Sequence, residues 1–220
     1  MLPTRFFAIP TLVLGLLAGS AQAAVVFDSF GPYNFFPYSV DNGTNEDGTH
    51  YEQSHAVRFT LTSETNITSI KTAINNDSGL GKLTLGIMAS VKQDADGVPY
   101  PGDFEQLPSG KFLYSSDLTG VLAGATLSKL NWTLGAGTYW LTGSAVGTSA
   151  TWTSGNKANY ALSTEAGVWS GGLESMISPA ALIEGTQLAV SAVPEPETYA
   201  MMLAGVALVS AMARRRKRAV

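Results

Sequence analysis

The sequence contains no cysteine. Disulfides, thiol catalysis and thiolate metal sites are therefore excluded, and packing with hydrogen bonds must hold the fold. Histidine is almost as scarce. His50 and His55 lie five residues apart, a spacing that neither helix nor strand turns into one face with a third ligand. Both are expected at the surface or at a strand edge. Gly-x-Ser-x-Gly elbows, Gly-rich phosphate loops and His-Glu-x-x-His runs are also missing, so no nucleophile, phosphate cradle or zinc pair announces itself.

Positive charge is sparse and badly distributed. Of 13 Lys+Arg and 17 Asp+Glu, one base lies in the first 23 residues, and five bases with two acids lie from Pro194 onward. Seven bases against fifteen acids remain between them, so the central body is near −8. Phosphate contact needs clustered Lys and Arg, which excludes nucleic acid as a partner, and anionic lipid surfaces repel such a body.

At the N-terminus, Arg5 precedes an apolar run from Phe6 to Ala18, and Ala21-Gln22-Ala23 supplies the two small side chains a signal peptidase inspects. Residues 1–23 therefore read as a secretory signal helix, with cleavage after Ala23 and mature protein starting at Ala24. At the other end Val193-Pro194-Glu195-Pro196-Glu197 leads into 16 uncharged residues, Thr198 to Ala213, and then Arg214-Arg215-Arg216-Lys217-Arg218. Sixteen helical residues measure about 24 Å, short of a ~30 Å hydrocarbon core, but basic side chains at the end can snorkel. A transmembrane helix with its basic end held in the cytoplasm is the expectation.

Pro-Glu-Pro, a short apolar helix and a terminal basic cluster, in that order, resemble the PEP-CTERM sorting signal of Gram-negative bacteria. The resemblance implies processing by exosortase, a membrane-embedded cysteine protease, at Pro194, Glu195 and Pro196. It implies a precursor tethered to the inner membrane, then a protein of the cell surface or extracellular matrix associated with exopolysaccharide or biofilm.

Residues 24–192 show period-2 alternation between turn residues. Leu83, Leu85, Ile87, Ala89 and Val91 share one face, as do Leu130, Trp132 and Leu134, and as do Val57, Phe59 and Leu61. Further strands are expected at 25–30, 67–74, 111–114, 138–142, 158–163 and 188–193. The stretch 93–108, with three prolines, reads as a long loop. Short strands with one apolar face each call for an all-β fold, an antiparallel β-sandwich of jelly-roll-like form. Val26-Phe27-Asp28-Ser29-Phe30, Gln53-Ser54, Pro101-Gly102 and Gly137-Thr138-Tyr139-Trp140-Leu141 with Trp152 resemble the choice-of-anchor domains of bacterial surface proteins, which imply no enzymatic activity.

Two acidic loops are the candidate Ca²⁺ sites. Asp41 with Asn45 and Asp47, and Asp94 with Asp96, place oxygens at alternate positions near a glycine, although Asn-Gly and Asp-Gly are equally hairpin signals. Trp132, Tyr139, Trp140, Trp152 and Trp169 crowd the second half, where they serve either a core or a sugar-binding platform. The resulting expectation has three parts: a signal peptide (1–23), a non-enzymatic exported β-sandwich (24–192) and a sorting signal (193–220). No cofactor is required, and signal peptidase and exosortase are the partners. A secreted carbohydrate-binding module, Ca²⁺-supported, is the alternative.

Overall fold

The computed structural model describes residues 23–31, 37–44, 46–93, 105–165, 168–175, 177–188 and 196–217. They fall into two compact units, Met1–Gln187 and Leu188–Val220.

The first unit is made of strands: β1 (Ala24–Asp28), β2 (Pro37–Thr44), β3 (His50–Leu61), β4 (Thr65–Thr72), β5 (Ile74–Asn76), β6 (Lys82–Gln93), β7 (Glu105–Leu118), β8 (Leu122–Ala123), β9 (Thr126–Leu134), β10 (Gly137–Val146), β11 (Thr148–Thr153), β12 (Ala158–Glu165), β13 (Val168–Ser175) and β14 (Ala181–Gln187). One sheet has the order β1-β14-β4-β9. The second has the order β7-β6-β10-β3-β2-β11-β5-β8, with β12 beside β3 and β13 beside β12. Every pairing is antiparallel. The block β7-β6-β10-β3 against β1-β14-β4-β9 is the strand order of a jelly roll, the first strand lying beside the last.

Alternation explains why the sheets stack. Leu83, Leu85 and Ile87 of β6, Val57 of β3 and Leu141 of β10 are fully buried in one cluster with Ile67 and Ile70 of β4 and Ile183 of β14. Phe27 of the smaller sheet meets Phe59 of the larger at 6.3 Å between ring centroids. Each large aliphatic removed from water contributes roughly 1.5–3 kcal/mol, so this shared face holds the sandwich together.

Several expectations need correction. The strand expected at 67–74 breaks at Ala73, where the chain leaves one sheet for the other: Thr72 N–H bonds Ala125 O, while Ala73 N–H bonds Ala180 O at 3.2 Å. The loop expected at 93–108 is shorter, because the β6–β7 ladder runs on to Gln93↔Glu105. The last strand, β14, was not expected: it ends at Gln187, and of the strand expected at 188–193 Leu188 lies just past it while residues 189–193 lie outside the described residues. Asp41 to Thr44, read as part of a loop, belong to β2, with Asp41 and Asn42 paired to β3 on one edge and β11 on the other.

The larger sheet forks at Ser54. Along one edge of β3, residues 50–53 pair with β2 and residues 54–57 with β12. From the fork, β12 and β13 extend beside the outward face of β3, β10 and β6. There Trp169 of β13 joins Ala56, Met88, Leu107 and Trp140 in a second, separate apolar cluster.

The second unit contains α1 (Pro196–Lys217), 22 residues and about 33 Å long. Proline suits its first position, where the missing N–H is an orphan in any helix. The helix is thus longer than the expected 198–213 and takes in Glu197 in its first turn and Arg214 to Lys217 in its last, the charge signs the helix dipole favours.

Candidate functional site

On the outward face of the larger sheet, one cross-strand row is made of hydroxyls. Ser163 of β12 is opposite Ser54 of β3. Ser54 Oγ donates to Ser144 Oγ of β10 at 3.0 Å. Ser144 is opposite Thr84 of β6, whose hydroxyl donates to Asp117 Oδ1 of β7 at 2.8 Å. Lys82 Nζ reaches the same carboxylate at 3.1 Å, and the two bonds, Thr84 first, hold the Asp117 carboxyl below its ordinary range. Strand alternation puts these side chains on one face because each lies an even number of residues from its outward neighbours, Ala56, Trp140 and Met88.

A cavity of about 260 Å³ opens over this row. Met88, Phe112 and Trp169 form its apolar wall, while the cross-strand pair Asn42 and Glu52 joins the hydroxyls on its polar side. Gly86, beneath the wall, must be glycine, since a Cβ there would stand 2.4 Å from Tyr114 O and 2.6 Å from the Phe112 ring. Two buried polar atoms on this face, Trp169 Nε1 and Thr142 Oγ1, have no hydrogen-bond partner among the described residues.

His55 is not a surface histidine as expected; it is 2% exposed at the fork. Its Nε2 lies 2.8 Å from Ser39 O, which can only accept, so Nε2 carries the proton and Nδ1 accepts from Tyr160 Oη at 2.9 Å. Tyr38 packs on both rings, 5.1 Å from His55 and 5.0 Å from Tyr160. Burial pulls the His55 pKa down to about 4 against the smaller opposing pulls of the Ser39 carbonyl and the Asp41 charge, and burial raises both tyrosines. This is a neutral, satisfied cluster that ties β2 and β12 to β3. His50 is exposed at the start of β3.

Ala21 lies outside the described residues, Ala23 is exposed, and Ala24 opens β1. Asp41 sits within β2, whereas Asp47 caps its own turn by accepting from the Thr49 N–H at 2.9 Å and from the Thr49 hydroxyl. Asn45, Asp94 and Asp96 lie outside the described residues. Among the described residues no group of three or more His, Asp or Glu is gathered for a metal. Of the two roles open to the aromatics, the core takes Trp140 and Trp152, which are wholly buried with Nε1 donating to Ser90 Oγ and Ala180 O, while Trp132 stacks on Tyr114 at 5.5 Å. The pocket residues Asn42, Glu52, Thr84 and Ser144 escaped sequence reasoning. Outward Ser and Thr in alternating strands were the available signal, but only register lines them up.

In the second unit Pro194, Glu195 and Arg218 lie outside the described residues, and Pro196 begins α1. Arg214 and Arg215 are exposed near its end, followed by Arg216 and Lys217. Met201, Met202, Leu203, Val206, Leu208 and Val209 are more than half exposed, on all sides of the helix. Among the described residues no helix is long and apolar enough to cross a membrane, so the expected transmembrane helix is not shown.

A family model for the PEP-CTERM protein-sorting motif matches residues 192–217. The match covers α1 and the segment before it, and it supports an exported protein of Gram-negative bacteria that exosortase sorts and processes. Neither the curated proteins nor the solved structures include a match to this chain.

Proposed function

We propose that the chain is a non-enzymatic surface or matrix protein, cut by signal peptidase before Ala24 and by exosortase near Pro194-Glu195-Pro196, whose body stands in the exopolysaccharide or biofilm layer. The sorting motif at 192–217 carries this reading. In the precursor α1 tethers the body to the inner membrane. A helix apolar on every side favours a bilayer over water, and the basic end anchors in the cytoplasm while its side chains snorkel to offset the short apolar stretch. The resemblance of Val26 to Phe30 and of Gly137 to Leu141 with Trp152 to choice-of-anchor domains, which imply no enzymatic activity, is in line with this reading. Both ring nitrogens of His55 are occupied, by Tyr160 and Ser39, which leaves neither free to move a substrate proton.

Replacing Pro194, Glu195 and Pro196 by alanines tests the reading. Alanine extends the helix toward the body and removes the motif, so the triple variant is expected to accumulate as full-length, membrane-bound precursor, followed by immunoblotting of fractions and intact mass. Release of the variant into the medium as efficiently as wild type refutes sorting at this motif.

A further inference from the structure

The geometry points to a site for one neutral sugar ring in the cavity between the hydroxyl row of the larger sheet and Trp169. Its choice of ligand class rests on the reading of the body as a matrix protein; the location and chemistry rest on the cavity alone.

Hydroxyl groups donate and accept, so Ser144, Ser54 and Thr84 can each meet a ligand hydroxyl in either sense. Asn42 adds donors and an acceptor, and Glu52 adds acceptors only. Such a lining suits a ligand with many hydroxyls more than one with a fixed acceptor pattern. Beside the hydroxyls, Phe112, Met88 and Trp169 add apolar surface, which suits the C–H face of a pyranose. Trp169 is 6% exposed and its indole N–H is wholly buried, so what it offers the cavity is the apolar part of its ring.

Size and charge narrow the ligand further. A volume of about 260 Å³ lies just below the ~300 Å³ lower end of ordinary small-molecule pockets, so one ring fits and an extended chain does not. Glu52 at the polar side, in a body near −8, disfavours uronic acids and other anionic sugars. Ser54 and Ser163 are buried at the bottom of the row, while Asn42, Glu52, Thr84 and Ser144 are partly exposed toward the mouth.

The test uses the full chain in a zwitterionic detergent, which carries no sugar headgroup, with saturation-transfer NMR and calorimetric titration of glucose, galactose, mannose, N-acetylglucosamine and glucuronate. At least one neutral sugar is expected to saturate with Kd of the order of 1 mM, and glucuronate is not. Ser144→Ala, with the melting temperature retained, and Trp169→Phe, which shrinks the apolar wall, should each weaken binding about 3- to 10-fold. If either variant misfolds, Glu52→Gln at the pocket mouth decides: it should admit glucuronate. No saturation by any sugar below ~100 mM, or binding indifferent to all three substitutions, overturns the site. A chain that binds no sugar yet fractionates with exopolysaccharide overturns the pocket and leaves the matrix reading standing. One that binds sugar but is never found in the matrix does the reverse.

Discussion

Strand β10 presents two different interiors on its two faces. Leu141 and Ala145 point toward the smaller sheet, into a core lined by Val57, Leu85 and Ile87. Trp140, Thr142 and Ser144 point the other way, toward a small cluster with Met88, Leu107 and Trp169 and toward the row of hydroxyls. The first face is aliphatic and continuous because two whole sheets close on it. The second is covered only in part, by β13 and the first half of β7, so polar side chains survive on it and a cavity remains. One sheet thus closes a continuous core on one side and leaves a partly covered polar cavity on the other.

The largest way to sharpen that contrast is a cavity in the aliphatic face. Ile87→Ala, at a fully buried site in the shared core, should cost about 2–5 kcal/mol in urea unfolding of the chain, whereas Ser144→Ala on the outward face should change stability by less than ~1 kcal/mol. Comparable losses for the two would erase the distinction.

The next effect concerns the polar exception on the inward-pointing positions, His55. Its pKa is lowered to about 4 in the folded state and is ordinary when unfolded, so between pH 6.5 and 4 the unfolded chain binds the extra proton. The stability held by neutral His55 is therefore present above pH 6.5 and is lost as pH falls toward 4, by roughly 3 kcal/mol across the window. Urea titrations at pH 7, 5.5 and 4.5 should show this loss in wild type and a smaller one in His55→Gln. Equal slopes for the two would mean that His55 does not titrate in this window.

The smallest effect is opposite in sign. Thr142 is wholly buried on the outward face with no partner for its hydroxyl among the described residues. Thr142→Val exchanges an unsatisfied hydroxyl for a methyl and should raise stability by up to ~1 kcal/mol. A loss of more than 1 kcal/mol in the same unfolding measurement would show that the hydroxyl is satisfied, and the outward face would then look less like a binding surface.

Much of the inward face was legible beforehand. Leu83, Leu85 and Ile87 in one strand and Val57, Phe59 and Leu61 in another were assigned to one side by period-2 alternation, and all are buried. The outward face was not, because the same alternation assigns Trp140 to solvent once Leu141 is inside. It cannot foresee that β12 and β13 bring Trp169 across the chain to cover Trp140. Likewise β2 was hidden by Asn-Gly and acidic residues that resemble a loop, until pairing on both its edges made Asp41 and Asn42 strand residues.

The two ends of the chain and its middle differ in what determined them. Charge order, apolar length and the Pro-Glu-Pro step are local properties of the chain, so the sorting motif at residues 192–217 was legible from sequence alone. Alternation, also local, was enough for an all-β sandwich. The hydroxyl row, the neutral His55 and the cavity beside Trp169 depend on which residue stands opposite which across strands up to ~110 positions apart in sequence. Register is set by the closing of the whole core, since a slip of one residue would turn every strand inside out, and only the tertiary structure carries that information.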